Sequence, residues 1–160
     1  MTNIDILCVG TLKEKYWREA EAEYVKRLSA YGKIGIVQVK ETPLPANPSP
    51  ANEEAVVRAE GKALLNAVGK RSFVVALDSR GEQFSSEAFA EKLRSLAVGG
   101  VSRIAFLIGG SLGLSDEARG AARLQLSFSK MTFPHQMMRI VLLEQIYRGF
   151  RIANREAYHK

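Results

Sequence analysis

The sequence holds one cysteine and two histidines, and it has no apolar run longer than the five residues of Phe73–Leu77 or Ile104–Ile108. Each scarcity excludes something. A lone Cys8 in an apolar stretch cannot build a disulfide framework. Five apolar residues fall far short of the roughly twenty that span a bilayer, so no membrane partner is expected. The opening Met1-Thr-Asn-Ile-Asp has neither the basic nor the apolar region of a secretory signal, which makes the cytoplasm the expected compartment. The usual catalytic sets, a metal-ligand cluster or a nucleophile elbow, are read as absent, and no metal is expected. What is present in excess is positive charge: 23 Lys and Arg against 17 Asp and Glu, a net charge of +6. That balance favours a polyanionic partner, although basic charge alone is weak evidence for one.

The pattern of the chain is that of a single domain over residues 1–160, alternating strands and helices. Residues 3–9 read as a strand ending at Gly10. Residues 13–30 read as an amphipathic helix with Trp17, Ala20, Tyr24 and Leu28 on one face, a stripe better suited to core packing than to stacking on bases. A strand at 34–39 is followed by Pro43, Pro45, Pro48 and Pro50, which argue for a loop. A helix is expected from Asn52 to about Val68, with Glu60-Gly61 marking tight packing against the sheet. A buried strand at 72–78 should turn at Arg80-Gly81. A helix capped by Ser85 or Ser86 precedes a nearly all-apolar strand at 103–108, as expected where both faces of a parallel sheet are covered. A short helix near Ser115, a strand at 124–129 and a last helix at about 136–152 complete an α/β fold with a largely parallel sheet. Residues 154–160 lack apolar periodicity and are expected to add little to the core.

Ligands of open α/β sheets bind beyond the carboxyl ends of the strands. Three such ends carry unusual residues: Leu77-Asp78, Gly109-Gly110 and Phe128–Phe133. The spacing Gly109-Gly110-x-x-Gly113 is not the dinucleotide fingerprint, and no Lys-Ser/Thr follows it as in a phosphate-binding loop. It suits a flat, mostly uncharged group such as adenine, though a plain tight turn would look similar. The glycine spacing also speaks against a nicotinamide-dependent oxidoreductase. His135 would approach the glycine loop only if the fourth and fifth strands were neighbours.

The segments Leu107–Leu114, Leu126–Arg139, Leu143–Arg148 and Ala157–Lys160 resemble the RlmH family of SPOUT methyltransferases, and the similarity runs from Leu7–Trp17 to the last residue. That resemblance implies a mostly parallel sheet with a carboxyl-terminal trefoil knot, a topology nearly absent from proteins at large. It implies S-adenosyl-L-methionine as methyl donor and a homodimer. It implies N3 of a pseudouridine in large-subunit ribosomal RNA as the target, on assembled ribosomes. Cofactor contacts are carried over to Leu77, Gly109, Phe128, Ser129, Lys130, Met131, Thr132 and Phe133. His135, Arg148, Tyr158 and His159 are the substrate-side candidates, with Arg139, Arg148, Arg151, Arg155 and Lys160 as cations that could hold RNA. A related enzyme acting on another RNA such as transfer RNA, or a non-catalytic ribosome-binding module, are the alternatives. The packing of a dimer is expected through Met137, Ile140, Val141 and Glu144.

Overall fold

The computed structural model describes residues 2–160. Five parallel strands run β1 (Thr2–Val9), β2 (Gly32–Val39), β3 (Phe73–Gln83), β4 (Arg103–Ile108) and β5 (Leu124–Ser127), in the sheet order β2-β1-β4-β3-β5. Between and after them come α1 (Lys15–Leu28), α2 (Pro50–Ala67), α3 (Ser86–Val98), α4 (Asp116–Ala121) and α5 (His135–Ala153).

The period of two along each strand sorts side chains onto two faces. Ile4, Ile6 and Cys8 of β1 join Ile104, Phe106 and Ile108 of β4 on one face, packed with Leu28, Phe89, Leu93, Leu142, Leu143 and Ile146 from α1, α3 and α5. Leu7, Val9, Ala105 and Leu107 point to the other face, where Leu64 of α2 and Ala118 of α4 cover them. The larger core therefore lies under the three longer-range helices, and α5 is its centrepiece. Cys8 is inert in that core, because burial pushes its thiol up to about 12.

Several expectations are corrected. Pro50 does not belong to an irregular stretch but opens α2, where a missing N–H costs nothing, and the Ser49 and Asn52 side chains cap that end reciprocally. Gly61 packs α2 against Ser115 and Ala118 at the start of α4, helix against helix rather than helix against sheet. Arg80-Gly81 does not end β3, which continues to Gln83 with a register break between Leu77 and Glu82 opposite Leu126. β5 stops at Ser127, leaving Phe128 and Ser129 to the following loop.

The tail is the largest correction. Tyr158 packs against the main core, its ring 4.9 Å from that of Tyr147 and its hydroxyl donating to Glu144 at 2.9 Å. Arg148 lies 4.7 Å over the Tyr158 ring, and the His159 imidazole meets Glu87 of α3 at 2.6 Å. Aromatic rings and paired charges dock this segment, so the lack of apolar periodicity hid its attachment.

Candidate functional site

The carboxyl ends of β4, β3 and β5 open on one cleft of about 820 Å³. One wall is the loop 109–114 after β4. Its chain folds back so closely that a Cβ on Gly109 would sit 2.5 Å from the carbonyl carbon of Gly113, and Gly113 itself has φ +83°. The loop's own return therefore demands a glycine at 109, with no special torsion at that residue. The opposite wall is the loop 128–134 after β5, and the floor is Leu77, Ile108 and Leu126.

Of the residues assigned to the cofactor, Leu77, Gly109, Phe128, Ser129, Met131, Thr132 and Phe133 line this cleft. Lys130 lies in the same loop, but it is exposed and is not among the lining residues. Met131 and Phe133 form an apolar lip, with Met131 73% exposed.

His135, the first residue of α5, also lines the cleft, together with Gln136 and Met138. The stated condition for this, neighbouring strands four and five, does not hold: β3 lies between them. The cleft spans all three strand ends instead. Burial lowers the His135 imidazole below its ordinary value, with Glu41 opposing the shift and Arg139 adding to it. The neutral ring is thus the dominant form at neutral pH.

Arg148, Tyr158 and His159 do not line the cleft. They form a separate cluster on α5 and the tail. Arg148 donates to Glu144 at 2.8 Å and meets Nδ1 of His159 at 3.3 Å. Arg151 pairs with Glu156 at 2.9 Å. Arg139 is not on the surface at all: it is 1% exposed, and its charge is spent on Glu21, 3.1 Å away. It therefore cannot reach RNA.

Sequence reading missed two cleft residues and one motif. Arg80 and Arg119 both line the cleft and pair with Asp78 where the register of β3 breaks, holding its carboxyl below its ordinary range against the opposing effect of burial. Arg119 also donates to the Leu114 carbonyl at 3.0 Å, riveting the glycine loop to β3. Asp78 stood out at a strand end, but nothing in the order of residues brings Arg119 to it. The loop Gly109-Gly110-Ser111-Leu112-Gly113 also has the G-x-S-x-G spacing that had been read as absent. The geometry does not make it a nucleophile elbow, since no helix follows Ser111 directly and α4 begins only at Asp116.

The cleft suits a nucleoside-sized ligand with a charged end. Its size is that of a small-molecule site. Its walls combine loop backbone, apolar Leu77, Ile108, Leu126 and Phe128, and a polar group of Asp78, Arg80, Arg119, Ser129 and Thr132. Among the described residues no group of three or more His, Cys, Asp or Glu is placed to hold a metal ion, and no helix is long and apolar enough to cross a membrane.

The chain is similar to known proteins along its whole length. The family profile described as "Predicted SPOUT methyltransferase" matches residues 2–159. A protein of Pelotomaculum thermopropionicum named ribosomal RNA large subunit methyltransferase H is 53% identical over 159 residues, 99% of each chain. Proteins of the same name from Alkaliphilus oremlandii and Clostridium beijerinckii are each 50% identical over 158 residues, again 99% of each chain. Among solved structures, that of a probable methylase family protein from Haemophilus influenzae superposes with a TM-score of 0.57 at 16% identity. It covers 99% of this chain and 71% of the other, a likeness of fold alone.

Proposed function

The chain belongs to the SPOUT methyltransferase family, and from that premise we propose that it methylates N3 of a pseudouridine in large-subunit ribosomal RNA. The donor is S-adenosyl-L-methionine, the assembled ribosome is the substrate, and the working form is a cytoplasmic homodimer. The observation that carries the reading is the convergence of the loops 109–114 and 128–134 on one cleft with His135 at its edge. The relatives' names supply the substrate class.

Leu77, Gly109 and residues 128–133 would hold the donor, Lys130 through its backbone alone. When bound, the donor supplies an electrophilic methyl group on a sulfonium. The protein's own work is to aim the acceptor nitrogen in line and to take its proton. Neutral His135 would take the proton that N3 must lose when it is methylated. Lowering of its pKa by burial keeps it able to do so at neutral pH.

Arg148, Tyr158 and His159 serve the substrate side. They lie off the cleft of their own chain, so a second copy must present them. Met137, Ile140, Val141 and Glu144 are half-buried in the single chain and supply the α5 face on which two copies pack. The trefoil threading of the family is part of the same proposal.

Titration calorimetry with S-adenosylmethionine, light scattering, and mass spectrometry of ribosomal RNA from cells lacking the protein test the parts separately. Micromolar or tighter donor binding, a dimer, and a missing methyl on one pseudouridine are expected. A monomer would remove the tail from the site, and a methyl missing from transfer RNA instead would redirect the target.

A further inference from the structure

Arg139 is the largest side chain in the protein that is fully buried. Its Nη1 donates to Glu21 of α1 and to Gln38 of β2, both at 3.1 Å, and its Nη2 reaches the Gly10 carbonyl after β1 at 3.4 Å. One guanidinium thus joins three segments to α5. As a stabilising device it is a poor choice. Burying an ion pair gains little over an apolar residue of similar size, and here Nε is buried with no acceptor. The position explains what stability does not. Arg139 follows His135 by four residues, one turn of helix, and that first turn delivers His135, Gln136 and Met138 to the cleft.

We infer that Arg139 is a positioning residue: clamped by Glu21, Gln38 and the Gly10 carbonyl, it fixes the first turn of α5 so that His135 is held at the cleft in its proton-accepting form. The inference deepens the proposed function and rests on its reading of His135. A lysine could keep the charge but not the three-way fork. The charged groups that act on His135 are Glu41, in the loop just after β2, and Arg139 itself, with Glu21 behind it. Removing the arginine's charge leaves burial alone to oppose Glu41.

The protein has only two histidines, so their ring proton signals can be followed in the whole protein by NMR, with His159→Gln identifying one of them. Arg139→Ala risks unfolding, because it strands the Glu21 carboxylate. Arg139→Met combined with Glu21→Gln removes both charges and keeps the volume. For this pair we expect a melting temperature within a few degrees of the parent and donor affinity within about threefold, the range of a volume-conserving core change. Single-turnover methylation of ribosomes should fall by roughly tenfold or more, the scale of a misplaced acid–base group, and the His135 titration midpoint should rise. Arg139→Lys should lose rate while leaving that midpoint where it was. Parental rates and an unmoved His135 signal in both variants would overturn the inference. So would a rate loss matched by equal losses of donor affinity and melting temperature, which would make Arg139 merely structural. If His135→Gln methylates at the parental rate, the reading of His135 fails. The NMR titration of the Arg139 variants then decides alone whether this arginine governs the His135 environment.

Discussion

The cleft and the tail both hold residues singled out as functional, and they are built in opposite ways. The cleft wall is backbone: a loop that returns on itself at Gly109 and Gly113, a second loop with an exposed apolar lip, and a floor of strand ends. The tail is side chains satisfying one another. Tyr158 bonds to Glu144, Arg148 covers Tyr158, and His159 meets Glu87. A surface that leaves apolar side chains exposed at a cleft is ready for a ligand. A cluster whose donors already have acceptors must give something up before it can take one.

The sharpest way to break this contrast is at Gly109. A valine there would drive its side chain into the backbone at Gly113 and Leu114, 2.5–2.8 Å from where its Cβ must sit. The loop must open, and S-adenosylmethionine affinity should fall by about a hundredfold or more, a loss of roughly 3 kcal/mol. Calorimetry measures it, and an unchanged circular dichroism spectrum would show that the sheet survives. An unchanged affinity would remove the glycine loop from the donor site.

The tail should behave differently. Deleting residues 158–160 removes an edge-to-face aromatic pair and a cation–π contact, each worth about 1 kcal/mol. The melting temperature should fall by roughly 5 °C for a chain of this size. Donor affinity should stay put, and methylation of ribosomes should drop at least tenfold if the tail also serves substrate. A truncated protein with parental stability would contradict the docking seen here. Full turnover would confine Tyr158 and His159 to structure.

These two regions also differ in how much of them the sequence reveals. The strands announce themselves by apolar runs, and β4 is found where expected, at 103–108. The cleft wall is legible because its glycines and the Phe128–Phe133 block are each contiguous in sequence. The docking of the tail is not, because its partners Glu87, Glu144 and Tyr147 come from two helices, and ion pairs leave no periodic trace. Arg119 on Asp78 and Arg139 on Glu21 are hidden for the same reason: each pair closes over 41 and 118 residues of chain, 119 − 78 and 139 − 21. Arg139 in particular looks like one more surface cation until the fold buries it. The approach of His135 to the glycine loop is expected only for neighbouring β4 and β5, and the crossover that inserts β3 between them cannot be read from local pattern.

A smaller effect separates the regions by pH. Burial lowers the His135 pKa, so the imidazole sheds its proton more readily in the folded chain than in the unfolded one. Its contribution to stability is therefore full above the ordinary value near 6.5 and is lost as pH falls through the lower folded value. Single-turnover methylation should follow the same neutral form, level down through about pH 6.5 and then falling about tenfold per unit. Loss of rate already at pH 7 would mean that a different group accepts the proton.

The smallest effect lies behind the glycine loop. Glu60 of α2 is 3% exposed, and its Oε2 accepts from the Thr42 amide at 3.0 Å. Its Oε1 faces Gly110, where a Cβ would come within 3.0 Å. No cation contributes to its environment, and burial, reinforced by Glu41, raises its pKa in spite of the Thr42 amide. A raised carboxyl pKa means that the folded chain holds the proton more tightly than the unfolded one. The stabilisation from Glu60 is thus full below the ordinary value near 4.3 and is lost as pH rises through the folded value. The buried Glu60 carboxyl has a single donor, and its burial disfavours the charged form. Glu60→Gln keeps the shape and an acceptor for Thr42 while removing the charge. It should raise the melting temperature at pH 7.5 by about 1–3 °C, the equivalent of a few tenths to 1 kcal/mol in a chain of this length. The gain should shrink towards zero as the scan is repeated near pH 4.5. A gain confined to neutral pH, with tighter or equal donor affinity, would mark Glu60 as a plain burden behind the glycine loop. A lower melting temperature at neutral pH would mean instead that the charge itself anchors the 40–49 loop through Thr42, and the cleft would then share the tail's reliance on satisfied charge.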